Sequence, residues 1–219
     1  MAQSGTKEGG SPPNPSKELY GILREILWRE EQVSALESVE EEEEQFWVFG
    51  LMANHKMLFL ESIPFSRVGK VLLVEPIEVF SLALQKQAVQ VILCHSIPKG
   101  KLQPSDTEKD VADRLIQVGR LLELPVLDYL LVNSQTFYSF EEKGLMEQLS
   151  YSLKYVPPYL QAQRIQEIAQ SIVQSVLQKE QDNTLQQQIS SARAMKKDGM
   201  EVLVIAKYTG LSPEQIEAL

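Results

Sequence analysis

The chain has 219 residues, 43% of them hydrophobic, and its 21 Lys and Arg against 30 Asp and Glu leave a net charge of −9. At roughly 150 residues per domain this length corresponds to one domain with an appendage, or two small domains, and the composition excludes a wholly disordered, collagen-like or mucin-like chain. No apolar run approaches the roughly 18 residues of a membrane span, the start lacks the apolar core of a signal peptide, and the acidic balance argues against a large nucleic-acid-binding surface.

Residues 1–16 are rich in Pro, Ser and Gly and nearly devoid of bulky apolar side chains, so they are expected to form a disordered tail. Ser16 reads as the N-cap of a helix over 17–39, in which Leu19, Ile22, Leu23, Ile26 and Leu27 follow the 3–4 rhythm of an amphipathic face. Glu40–Glu44, five carboxylates in a row, read as a solvated linker, with an interaction patch for a basic partner as the functional alternative. Gln45–Leu51 and Met57–Ile63 are rich in aromatic and branched residues and flank a loop, which predicts a hairpin with His55 exposed at its turn. Lys70–Val74 is a continuous apolar run of the kind buried on both faces of a sheet. Pro76 opens a helix with Val79, Phe80, Ala83 and Leu84 on one side.

Val89–Leu93 predicts the next buried strand. It is followed by a polar loop and a helix from Ser105 with a stripe of Val111, Leu115, Val118 and Leu122. Pro125 ends that helix, and Val126–Val132 and Phe137–Phe140 follow as strands. Alternating strands and helices at this spacing indicate an α/β layered domain over 40–150. Pro157–Pro158 mark a change of composition. Residues 160–190 hold ten Gln and an apolar stripe of Ile165, Ile168, Ile172 and Val176, which predicts a long helix in a helical C-terminal extension over 157–219. Gly199 and Gly210 read as helix breaks, and Ser212 through Gln215 as a capping box.

The chemical candidates cluster between Cys94 and Glu108. A strand delivers His95 to its carboxyl end, where α/β proteins place their sites, and a helix begins at Ser105 close by. Ser105 with Glu108 forms a capping box irrespective of any chemistry. Cys94 and His95 are neighbours on a strand and point to opposite faces, so Cys94 is expected to be buried and inert. Glu78 is the best-placed upstream carboxylate for a general base, although a first helical turn favours a negative charge in any case. Lys99 and Lys101 add positive charge to the loop.

The stretch from His95 to Glu108 resembles the RadC-like branch of the JAB/MPN (JAMM) metalloprotease family, whose pattern runs His-x-His-Pro-Ser-Gly and then Pro-Ser-x-x-Asp. Val74–Phe80, Leu121–Tyr129 and Ser139–Gly144 resemble further segments of that family in order, so the resemblance covers about 45–146. It implies a JAB/MPN-like (cytidine-deaminase-like) layered sheet with helices. It also implies a zinc ion held by two His and one Asp, a Glu as general base and a Ser that holds the tetrahedral intermediate. Carried onto this sequence, the first ligand is His95, the second position holds Ile97, the Ser is Ser105 and the Asp position holds Glu108, with Glu78 as the candidate base. Tyr129 stands where the family usually has His after Leu-Asp, with Asp128 before it.

An alkyl side chain at 97 has no lone pair to offer a metal, and two ligands fall short of a catalytic zinc site. The expectation is therefore a degenerate member: a non-catalytic binding or scaffold module without zinc, which takes a protein or peptide partner. A zinc-dependent metallopeptidase or isopeptidase-like hydrolase is the alternative, and a DNA-associated protein is the second alternative. The tail, Ala192 to Ser212, resembles the C-terminal extension of Rpn-type, transposase-related nucleases. Over 160–219, however, six Lys and Arg oppose seven Asp and Glu, which argues against DNA contact and for docking or homo-oligomerisation through the long helix. A lone cysteine and the absence of an apolar span point to a reducing cytoplasm.

Overall fold

The computed structural model describes residues 15–37, 44–69, 71–98 and 101–219. Residues 1–14 of the expected tail, Glu40–Glu43 of the acidic run, Lys70 and Lys99 lie outside the described residues. The chain divides into two compact units, the first ending at Val156 and the second spanning Pro157–Leu219.

The first unit is a mixed α/β layered structure. Helix α1 (Pro15–Glu37) precedes the hairpin β1 (Gln45–Leu51) and β2 (Met57–Ile63). Two short strands, β3 (Ser66–Val68) and β4 (Val71–Leu73), lead into α2 (Pro76–Gln85). Then come β5 (Gln90–Ser96), α3 (Asp106–Leu121), β6 (Val126–Val132), β7 (Phe137–Ser139) and α4 (Leu145–Ser150). The main sheet has the order β2-β1-β5-β6-β7. Strands β5 and β6 are parallel and joined through α3, whereas β1 runs antiparallel to both of its neighbours.

Both faces of this sheet are covered, which is why β5 is buried along nearly its whole length around the apolar run Val91–Cys94. One face packs Phe46, Val48, Leu93, Tyr129 and Leu131 against Val79 and Phe80 of α2 and Leu115 of α3. The other packs Phe49, Ile92, Cys94, Leu130 and Val132 against Leu19, Leu23 and Leu27 of α1, spaced four apart so that they share one helix side. Gly50 leaves room for the ring of Phe59, its cross-strand partner on β2: a Cβ there would lie 1.9 Å from that ring.

Two local expectations are corrected. The apolar run at 71–74 is not a strand buried on both faces. Strand β4 pairs only with β3 in a separate two-stranded ribbon and exposes Val71 and Leu73 while burying Leu72. Ser16 is not an N-cap. It lies inside α1, which begins at Pro15, and its hydroxyl donates to Asp128 Oδ2 at 2.7 Å.

In the second unit, α5 (Pro158–Lys197) is a 40-residue helix, about 60 Å long at 1.5 Å per residue. Helices α6 (Val202–Thr209) and α7 (Pro213–Glu217) fold against its end around Ala192, Ile205, Leu211 and Ile216. Gly199 and Gly210 adopt positive φ where the helices stop, and Ser212 and Gln215 form a complete capping box. Lys196 Nζ donates to the last carbonyls of α7, Ile216 O at 2.9 Å and Glu217 O at 3.0 Å. Ile165, Ile172 and Val176 are exposed along α5. Among the described residues no helix is long and apolar enough to cross a membrane.

Candidate functional site

Strand β5 carries His95 one residue before its carboxyl end, between Phe46 of β1 and Leu131 of β6 in the sheet register. The imidazole is fully buried, with the Phe46 ring tilted beside it and the Phe65 ring edge-on at 6.0 Å. Its Nε2 lies 3.2 Å from Glu44 Oε2, and its Nδ1 lies 3.8 Å from Glu108 Oε1. Arg67 reaches in from β3: its Nε donates to Glu44 Oε2 at 2.7 Å, and its Nη2 faces Glu108 Oε1 at 3.5 Å. Two carboxylates, one guanidinium and one imidazole thus form a single cluster.

Burial lowers the pKa of His95, against the attraction of Glu44 and Glu108, so the ring is held neutral. Among the described residues a carboxylate is the only partner of Nε2, which assigns the ring hydrogen to that nitrogen. Nδ1 is then the bare nitrogen. It is buried and has no hydrogen-bond partner among the described residues.

Glu108 sits in the first turn of α3 because the capping box holds it there. Its Oε2 accepts from Ser105 N at 2.8 Å, and its own N–H donates to Ser105 Oγ at 3.3 Å. The other oxygen, Oε1, faces both Arg67 and His95. Ser105 is exposed, and its hydroxyl is engaged in the cap. Ile97 follows β5, donates its N–H to Val132 O at 2.8 Å, and packs its side chain half-buried against the α2–α3 core. Glu78 lies exposed in the first turn of α2 and is not among the side chains grouped around His95. The carboxylate that reaches the imidazole is instead Glu44, which sequence reading had placed in a solvated linker.

Cys94 is fully buried on the α1 side of the sheet, and burial pushes its thiol well up. Asp128 is buried too and accepts four hydrogen bonds, from Ser16 Oγ, Ser139 Oγ, Tyr129 N and Glu141 N. It is therefore a structural hub joining α1, β6 and β7. The Tyr129 ring packs on Phe46 and Phe140. His55 turns the β1–β2 hairpin at φ +60°, exposed, and Lys101 is exposed on the site loop. Arg67 carried no local signal in the sequence, because its neighbours are brought to it only by the sheet and by α3.

A catalytic zinc needs three protein ligands and one open position. Ile97 offers hydrocarbon where a ligand is expected, and a guanidinium already bonds the two carboxylates. Among the described residues no three His, Cys, Asp or Glu side chains are disposed around a common metal position. As they stand, these residues do not fit the zinc of the JAMM pattern.

A family model described as the RadC-like JAB domain matches residues 19–145, so the match takes in α1 as well as the sheet. The UPF0758 protein STH371 of Symbiobacterium thermophilum is 37% identical over 103 residues, which cover 47% of this chain and 44% of that protein. The UPF0758 protein YkfG of Escherichia coli (strain K12) is 35% identical over 105 residues, 48% of this chain and 66% of that protein. A UPF0758 protein of Flavobacterium johnsoniae is 30% identical over 102 residues, 47% of this chain and 44% of that protein. The chain thus matches less than half the length of the Symbiobacterium and Flavobacterium relatives.

Proposed function

Because the chain belongs to the RadC-like JAB domain family, we propose that it is a degenerate member, a non-catalytic binding or scaffold module that has lost its zinc site. The observation that carries this reading is Ile97, a half-buried alkyl side chain at the family's second ligand position. Binding does not need the metal. Strand β2 is an edge of the main sheet, with one side of its backbone unpaired by other strands among the described residues, and an extended protein or peptide segment can add to such an edge through main-chain hydrogen bonds. The exposed stripe of α5 supplies a second contact surface, for another copy of the chain or for a partner helix.

Metal analysis of the purified chain tests the reading. The wild-type protein is expected to hold no stoichiometric zinc. The double variant Ile97→His with Glu108→Asp restores the family's ligand set and draws the carboxylate one methylene back from Arg67; it is expected to take up about one zinc per chain. Equal zinc in both proteins would defeat the account of ligand loss. The competing reading, a zinc-dependent hydrolase, is favoured by one observation: the bare Nδ1 of His95 faces Glu108. It requires tightly bound zinc in the wild type that disappears with His95→Ala.

A further inference from the structure

Two carboxylates still converge on a buried, neutral imidazole, and a set of this kind asks for a cation. We propose that Arg67 is a resident counter-cation at the vestigial metal site, its guanidinium standing in electrostatically for the ion and keeping divalent metals out. The inference rests on the reading of a lost zinc centre and names the residue that closes it. Arg67 Nε donates to Glu44 at 2.7 Å, and Nη2 faces Glu108 at 3.5 Å, so one side chain engages both acids. A guanidinium stays charged at any pH a protein survives, and its planar fork suits carboxylates. Glu108 is nearly buried, and without Arg67 it would share the site with Glu44 and no other cation among the described residues.

A second observation is independent of the acids. His95 Nδ1 is buried and without a hydrogen-bond partner among the described residues, and such atoms are few in folded proteins. It lies 3.8 Å from Glu108 Oε1. Two ligands of one tetrahedral zinc ion, each about 2.1 Å from it, stand roughly 3.4 Å apart, so this pair is a few tenths of an ångström too wide as it stands. With Glu44 these atoms stand near one another without sharing a metal position among the described residues, so a metal would have to draw them together, and the charge of Arg67 on both acids opposes that.

The test titrates the purified full-length chain with zinc ion against a chromophoric chelator. Arg67→Gln and Arg67→Met both remove the charge, and Met keeps the aliphatic stem should Gln fail to fold. Each is expected to bind zinc roughly tenfold or more tightly than wild type. Arg67→Lys, which keeps a positive charge, is expected to stay at the wild-type level, and His95→Ala added to Arg67→Gln is expected to abolish the gain. No gain in either neutral variant, an equal gain in Arg67→Lys, or a gain that survives His95→Ala would overturn the inference. Tight zinc in the wild type itself would overturn this inference together with the reading of a lost site, whereas absence of zinc from wild type and neutral variants alike would overturn this inference alone.

Discussion

Asp128 shows how much a single residue can hold. Its carboxylate joins three elements through four donors, two of them backbone N–H groups and two of them hydroxyls. Burial raises its pKa above the ordinary 3.8, outweighing those hydrogen bonds. The folded chain therefore keeps a proton on Asp128 at a pH where the unfolded chain has released it, and stability from this group rises as the pH falls through the raised value towards 3.8. Asp128→Asn removes that dependence. In urea unfolding from neutral pH downwards, the stability of the wild type relative to Asp128→Asn is expected to rise with acidification; a flat or opposite trend would contradict the assignment. The sequence showed Asp128 as one ambiguous carboxylate among many. Its partner Ser16 lies 112 residues away and looked locally like a helix cap, so a long-range bond overrode a short-range preference. Arg67 and Glu44 were illegible for the same reason, since only the folded sheet brings them to His95.

At the scale of elements, period and turn chemistry carried most of the fold. The hairpin, α2, the strands β5 and β6 with α3 between them, and the Ser105 cap all followed from side-chain pattern. The ribbon β3–β4 did not, because an apolar run of three to five residues reads alike whether it is covered on both faces or on one. Where its partner Ser66–Val68 lies decides the matter, and that strand has no apolar signature. The cap of α3 gives a measurable prediction. Ser105→Ala removes the acceptor for Glu108 N and is expected to cost about 1 kcal/mol, seen as a melting temperature lowered by a few degrees, whereas Ser105→Asp retains most of it. A loss well beyond that for Ser105→Ala would mean that the hydroxyl has work outside the cap.

The whole molecule joins a layered α/β unit to a helical one of very different character. The first buries its apolar residues on two sheet faces. The second gathers its core at one end of α5 and leaves Ile165, Ile172, Val173, Val176 and Leu177 exposed along the helix. The sequence showed this stripe plainly, but an amphipathic period alone does not name the surface that covers it. If the stripe mediates self-association, as proposed, Ile172→Glu with Val176→Glu is expected to lower the sedimenting mass to that of one chain while leaving the melting of the first unit unchanged. A wild-type chain that already sediments as a monomer at high concentration would remove the proposal.

The placement of Cys94 and His95 back to back on β5 makes that strand a party wall. One room is furnished by the amino-terminal helix, the other by the acid–guanidinium cluster. The chain's lone cysteine, sealed in the first room, is consequently a natural stopwatch. A thiol reagent added to the native protein can consume it only as fast as that first helix lifts away, so the labelling rate times an event on the far side of the partition from the histidine.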